Sequence, residues 1–432
     1  MAGTRQITGR GHLKLGMGKM VSDAKSKDHF TGALARVARG NLCSGCGGCA
    51  LVAPDKVHMA LQSPGYLRPV QTGALTPDQD AQIARICPGL GQTVTPANRI
   101  DDVLWGPYVS MHTGYTSRTS LRHAASSGGG LSAVLIHLLE SGQVNGVIQT
   151  GADPRLPIAN VAVLSQTADA VQGAAGSRYA PSSPLAGLEA HLQSRQRFAF
   201  VGKPCDVAAL RALALDDPRI DARIPVMLSF FCAGVPSQAG GEAVLKALGT
   251  DLAGTAAFRY RGNGWPGQAT ATLHDGSTRS MSYHDSWGKI LSRHVQHRCK
   301  ICADGTGTAA DLVCADAWVC DAHGYPVFEE QDGVSLIVAR NAKGADLLAD
   351  AEAAGHLVTE GFDVARLAAI QPGQLGRRRA LLARLAGLRL LGKPIPRYRG
   401  LHLQAAGAQN SLRRNLKNFL GMLRRGLTGR LG

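Results

Sequence analysis

Hydrophobic positions fall into short runs separated by polar turns through the middle of the chain. Leu131–Leu139 reads as an apolar helix stopped by Gly142, and Val144–Gln149 as a short strand. Phe198–Val201 is a buried strand, followed by a glycine turn and the helix Asp206–Leu215. Ile224–Phe231 predicts another strand with the helix Ser237–Leu248 behind it. Ala256–Tyr260, Ala269–Leu273 and Val334–Val338 predict strands, and residues 343–354 a closing helix. Strands alternating with helices indicate an α/β (mixed α+β) body whose sheet is parallel or mixed.

The flanks differ. Residues 1–42 read as a basic, largely irregular lead-in. Residues 43–100 hold four cysteines among Gly and Pro with little periodicity, a loop-rich module that needs a metal to hold it. The rest divides into 101–190, 191–370 and a basic stretch, 371–432. In that last stretch Leu412, Leu416, Phe419, Leu423 and Leu427 recur at helical spacing with Arg413, Arg414, Lys417, Arg424 and Arg425 between them. This is a basic amphipathic helix suited to an anionic membrane surface or an acidic partner protein. A second, weaker one spans 375–391, and the prolines of Lys393–Pro396 separate the two.

Composition changes the picture once it is located. The 432 residues carry a net charge of +16, but residues 371–432 hold 14 Lys and Arg with no Asp or Glu. Residues 1–42 add +6, which leaves 43–370 at −4. The charge therefore describes the ends, and with 5 % aromatics there is no stacking platform for nucleic acid. No apolar run approaches the ~20 residues of a membrane span, and no secretory signal is visible. The expected location is cytoplasmic, with the inner membrane face as an alternative. Ten cysteines in such a chain indicate metal or redox chemistry rather than disulfides.

Cys43, Cys46 and Cys49 stand at C-x2-C-x2-C spacing, and glycines 45, 47 and 48 let the loop curl tightly around a cluster corner. The fourth cysteine is Cys87, followed by Pro88. These four read as ligands of one 4Fe–4S cluster; structural zinc and unligated thiols are the competing readings. Cys205 and Cys232 follow strand ends, which in an α/β sheet converge on one crevice. Cys205 also opens a helix, where the dipole favours a thiolate. With the Cys299–Cys302 knuckle they make a second possible set of four; the alternatives are a core cysteine with a zinc knuckle or a redox pair. Cys314 and Cys320 read as buried. Ser126, Ser127, Gly128 and Gly129 form a turn into the helix at 131, able to meet a phosphate or a flavin edge or simply to cap the helix. Gly173–Tyr179 offers Arg178 to an anion, and the turn after Tyr260 offers Arg261 to an anion and Trp265 to a ring. Neither a Walker loop nor a G-x-G-x-x-G fingerprint is present.

Taken together, Cys43–Cys49 with Cys87-Pro88, Ser126–Gly130, Gly202–Cys205, Phe231-Cys232, Gly264–Gly267, Cys299–Asp304, Ala310-Asp311 and Asp316–Trp318 resemble the coenzyme F420 hydrogenase/dehydrogenase beta-subunit family. The motifs run in order over residues 40–340. Ala315, where glycine is expected, departs from the pattern, and the basic stretch after Gln371 lies outside it. The resemblance implies an iron–sulfur flavoprotein with one or two 4Fe–4S clusters and FAD. It would take electrons from a ferredoxin-like or other one-electron donor and pass them to an organic two-electron acceptor. That acceptor would be of the coenzyme F420 type, or a small or polysaccharide-pathway substrate. The alternatives are a non-catalytic electron-transfer subunit, a vinyl reductase of the chlorophyll pathway, and a zinc-stapled binding protein. His123, Asp304 and Asp311 adjoin motif loops but read as structural, so no catalytic acid is assigned.

Overall fold

The computed structural model describes residues 30, 32–318 and 329–429. Its centre is an eight-stranded mixed sheet. From edge to edge the strands are Leu357–Gly361, Ser110–Thr116, Ser335–Ala339, Leu312–Asp316, Val226–Phe230, Phe198–Val201, Gly146–Asp153 and Leu156–Ser165. The four from Leu312–Asp316 to Gly146–Asp153 run parallel, and the others are antiparallel to their neighbours. Parallel strands must be buried on both faces, which explains why FAFV and VMLSF are apolar almost throughout.

Helices cover both faces. On one, Val134, Leu135 and Leu138 of Gly130–Glu140 pack with Leu347 and Leu348 of Ala342–Ala353 over Val147, Leu228 and Ile337. On the other, Val207 and Leu210 of Pro204–Leu213 meet Phe198, Phe200, Met227 and Val313. A separate antiparallel sheet of Thr255–Arg259, Gln268–Leu273 and Thr278–Ser282 packs on the helix Gln238–Ala247.

The flanks depart from the sequence reading. Residues 32–39 form a helix that buries Ala33, Leu34 and Val37, so the described end of the basic lead-in is ordered. The cysteine module contains the hairpin Val57–Gln62/Tyr66–Gln71 and the helix Pro77–Ile86. That helix starts at a capping box in which Thr76 and Gln79 satisfy each other's backbone N–H groups. Most importantly, the basic C-terminal stretch is no appendage. The helix Pro372–Leu390 lays Leu381, Leu385 and Leu388 into one core with Leu34, Leu42, Ile83 and Ile301. The strand Arg397–Arg399 pairs in parallel with Gly91–Thr93. Arg378 is buried and donates to the carbonyls of Ala303 and Leu401. Several positive charges counted at the end of the chain are therefore structural donors within the body.

Leu381 is fully buried in this shared core. Leu381→Ala should cost about 2–5 kcal/mol in denaturant unfolding. A detached tail would give a change within about 0.5 kcal/mol.

Candidate functional site

The carboxyl ends of the parallel strands open into a cleft of about 290 Å³, at the small end for a ligand site. Its walls carry Ser126, Ser127 and Gly129 from the turn before Gly130–Glu140, and Lys203 and Cys232 from the loops after two parallel strands. Tyr283 and Trp318 supply aromatic surface. The turn is anchored to the sheet: the Ser127 hydroxyl lies within hydrogen-bond distance of the Ala315 and Val334 carbonyls, and Ser126 pairs with Ser177 at 2.7 Å. Gly128 faces the sheet rather than the cleft, and a Cβ there would sit 2.6 Å from the Gly114 carbonyl oxygen. The Gly130 N–H is held by Ser335.

Two candidates from the sequence do other work. Arg178 lines the cleft, but its guanidinium donates to Asn160 Oδ1 and to the carbonyls of Phe258, Pro157 and Ala159. Trp265 is buried behind the wall: it stacks on Trp318 at 5.1 Å and donates its indole N–H to Asp316. Arg261 grips Asp316 bidentately at 2.8–2.9 Å and lies under the rings of Tyr283 and Trp318. The exposed ring surface in the cleft is thus Trp318 and Tyr283, backed by a buried ion pair. Burial pushes the Tyr283 phenol well above its ordinary range, so it stays protonated in the cleft. Asp304 and Asp311 are structural, as expected. Asp304 caps the backbone N–H groups of Gly307 and Thr308, and Asp311 accepts from Met227, Asn341 and Arg211. His123 is exposed, and its carbonyl accepts the Gly264 N–H.

The cysteines gather into the two expected groups. Cys43, Cys46, Cys49 and Cys87 are near enough to act on one another electrostatically. Burial, then neighbouring Cys87, pushes Cys46 up to about 12; burial, then Cys43, pushes Cys87 up to about 11. Gly47 holds a left-handed conformation, and a Cβ there would meet the Ala186 nitrogen at 2.7 Å, so the loop curls only with glycine. Cys205, Cys232, Cys299 and Cys302 form the second group; burial, then Cys299, pushes Cys232 up to about 12. The expected thiolate at Cys205 is not favoured. Burial and the neighbouring Asp206 carboxylate outweigh Lys203 and raise its pKa well above the usual range. Cys314 is buried in the sheet and pushed up to about 12 by that burial, and Cys320 lies outside the described residues.

Sequence reasoning missed the residues joining these parts. Arg298 is fully buried and acts on Cys43 and Cys87 of one group and on Cys205, Cys299 and Cys302 of the other. Burial opposes its charge, yet Tyr398 and the sulfurs outweigh burial and keep the guanidinium protonated. It donates to the Pro88 carbonyl at 2.6 Å, while Nε and Nη1 have no partner. Gln296 reaches both the Ser44 carbonyl and Cys299 Sγ. Lys203 donates to Ser182 at 2.8 Å, and Ser183 donates to the Gly45 carbonyl of the cysteine loop. Gln374 and Arg377 both donate to the Cys232 carbonyl at 3.0 Å. The only signal for Arg298 and Gln296 was their place beside the Cys299 knuckle.

Among the described residues no three His, Cys, Asp or Glu side chains close around a single metal ion. Four sulfurs near one another but not collapsed onto one point suit the corners of a cube better than a tetrahedral zinc site. The two unspent N–H donors of Arg298 suit anionic sulfur on either side. By donor type and arrangement, both groups fit a four-iron cluster.

Two family models match the chain, one for each half of the "Coenzyme F420 hydrogenase/dehydrogenase, beta subunit". The N-terminal model matches residues 111–189, and the C-terminal model matches residues 195–364. Among solved structures, a chain of the xenon-derivatised F420-reducing NiFe hydrogenase complex from Methanosarcina barkeri is 20 % identical. The match covers 66 % of this chain and 96 % of that one, with a TM-score of 0.49. No curated protein sequence matches.

Lys203 and Asp206 form an ion pair at 2.8 Å with side chains 8 % and 1 % exposed. Asp206→Ala should destabilise the protein by about 3–5 kcal/mol in denaturant unfolding, because it leaves a buried ammonium uncompensated. Lys203→Met combined with Asp206→Leu should cost clearly less than Asp206→Ala alone.

Proposed function

Because the chain belongs to the coenzyme F420 hydrogenase/dehydrogenase beta-subunit family, a redox family, we propose that it is an iron–sulfur flavoprotein oxidoreductase. In this reading Cys43, Cys46, Cys49 and Cys87 hold one 4Fe–4S cluster, and Cys205, Cys232, Cys299 and Cys302 hold a second. The cleft holds FAD. The observation that carries the reading is continuity: Cys232 belongs both to the second cysteine group and to the cleft wall, and Arg298 acts on both groups. When bound, the clusters supply one-electron exchange with a ferredoxin-like donor, and the flavin supplies two-electron chemistry toward an organic acceptor.

The chain's own residues then have definite tasks. Arg298 provides a fixed positive charge and two N–H donors between the cysteine groups. Lys203 is held charged against burial, chiefly by Asp206, and brings positive charge to the cleft wall. The Ser126–Gly130 turn offers hydroxyls, and Trp318 with Tyr283 offers a flat apolar face. Tyr283, held protonated, is the proton donor best placed in the cleft. Arg261 fixes that wall through Asp316.

Anaerobic purification should yield a coloured protein with about eight iron and one FAD. Cys46→Ala and Cys232→Ala should each lower iron by about half. Unaltered iron in either variant overturns that ligand set, and a colourless zinc protein overturns the whole reading. Reduction of an organic acceptor by the isolated chain with reduced viologen separates an enzyme from an electron-transfer subunit. There Tyr283→Phe should slow turnover about 100-fold at unchanged FAD content.

A further inference from the structure

Half of the large apolar side chains left exposed among the described residues lie on two helices, Pro372–Leu390 and Leu412–Leu427. The others are spread over the body from Leu61 to Val358. On the second helix Leu412, Leu416, Leu420 and Leu427 are all exposed, and at 100° per residue they fall within an arc of about 80°. Arg413, Arg414, Lys417, Arg424 and Arg425 occupy the next arc, about 120° wide. The remaining arc, centred on Phe419 and Met422, faces Pro372–Leu390 and buries Met422. The helix thus has a protein-facing side, an exposed apolar side and a basic side.

We propose that the apolar side, extended by Leu382 and Leu390, is a docking surface that lies in the interface of an anionic lipid bilayer. This is independent of which cofactors the chain carries. An acidic protein would satisfy the arginines but leave the leucine arc in water. A bilayer with acidic headgroups offers an apolar and an anionic phase side by side, in the order in which the two arcs occur. Residues 1–29 are poor occupants, because with six basic and two acidic residues they share the helix's sign of charge. No helix among the described residues is long and apolar enough to cross a membrane, so the helix lies on the surface.

The test is co-sedimentation of the full chain with vesicles. It should bind phosphatidylcholine vesicles containing phosphatidylglycerol, bind weakly to phosphatidylcholine alone, and be released by salt. Leu416→Glu with Leu420→Glu should abolish binding, with the melting temperature unchanged because both side chains already face solvent. Arg413→Gln and Arg424→Gln should each weaken binding about fivefold. Failure to bind anionic vesicles, including an outcome in which only an acidic protein binds, overturns the proposal. So does binding that survives the double leucine change.

Discussion

A guanidinium sealed from water needs anions, and Arg298 is such a group between two sets of cysteines. An unpaired buried charge costs several kcal/mol, and each unused buried donor adds to that. Within the protein, Arg298 has one carbonyl, Pro88, and the ring of Tyr398. The arrangement becomes favourable when the sulfurs around it are anionic. The same residue that anchors the first cysteine group beside Pro88 also opens the Cys299–Cys302 knuckle. The two groups are therefore fixed relative to each other by one side chain and cannot be treated as separate modules.

The rest of the molecule serves that junction. Parallel strands deliver Lys203, Cys205 and Cys232 to one end of the sheet, since side chains after parallel strands share a crevice. Arg377 and Gln374 then clamp the Cys232 carbonyl from the C-terminal helix. Ser182 and Ser183 join Lys203 to the cysteine loop through two hydrogen bonds. Electrostatics and packing thus converge on the strip from the cleft to Cys43.

The sequence made the body legible where periodicity and turn residues agreed. The helix at Gly130–Glu140 and the strands Phe198–Val201 and Val226–Phe230 lie close to where the pattern puts them. Strands Ser110–Thr116, Leu156–Ser165, Leu312–Asp316 and Leu357–Gly361 were not foreseen. SMHTGYT mixes polar residues and glycine, and LVCAD is too short to show a period. Both cysteine groups were visible from spacing and strand ends. Their connecting residues were not, because an arginine whose role comes from burial looks like any other arginine. The same limit applied to residues 371–432: positive charge suggested solvent, whereas Arg377 and Arg378 spend theirs on backbone carbonyls. Trp265 was chosen over Trp318 as the ring at the surface because nothing in the chain tells which of two stacked indoles faces outward.

Residues near both ends of the chain build the pocket of the first cysteine group. Leu34, Leu42 and Ile83 share a core with Leu381 and Leu385, and Arg397–Arg399 completes a ladder begun at Gly91–Thr93. During synthesis the cysteine loop emerges about 300 residues ahead of the helix that covers it. A metal centre loaded on the nascent chain would face water and oxygen throughout that interval. The topology thus places maturation of this group after release from the ribosome, and makes closure of the last helix the step that seals it.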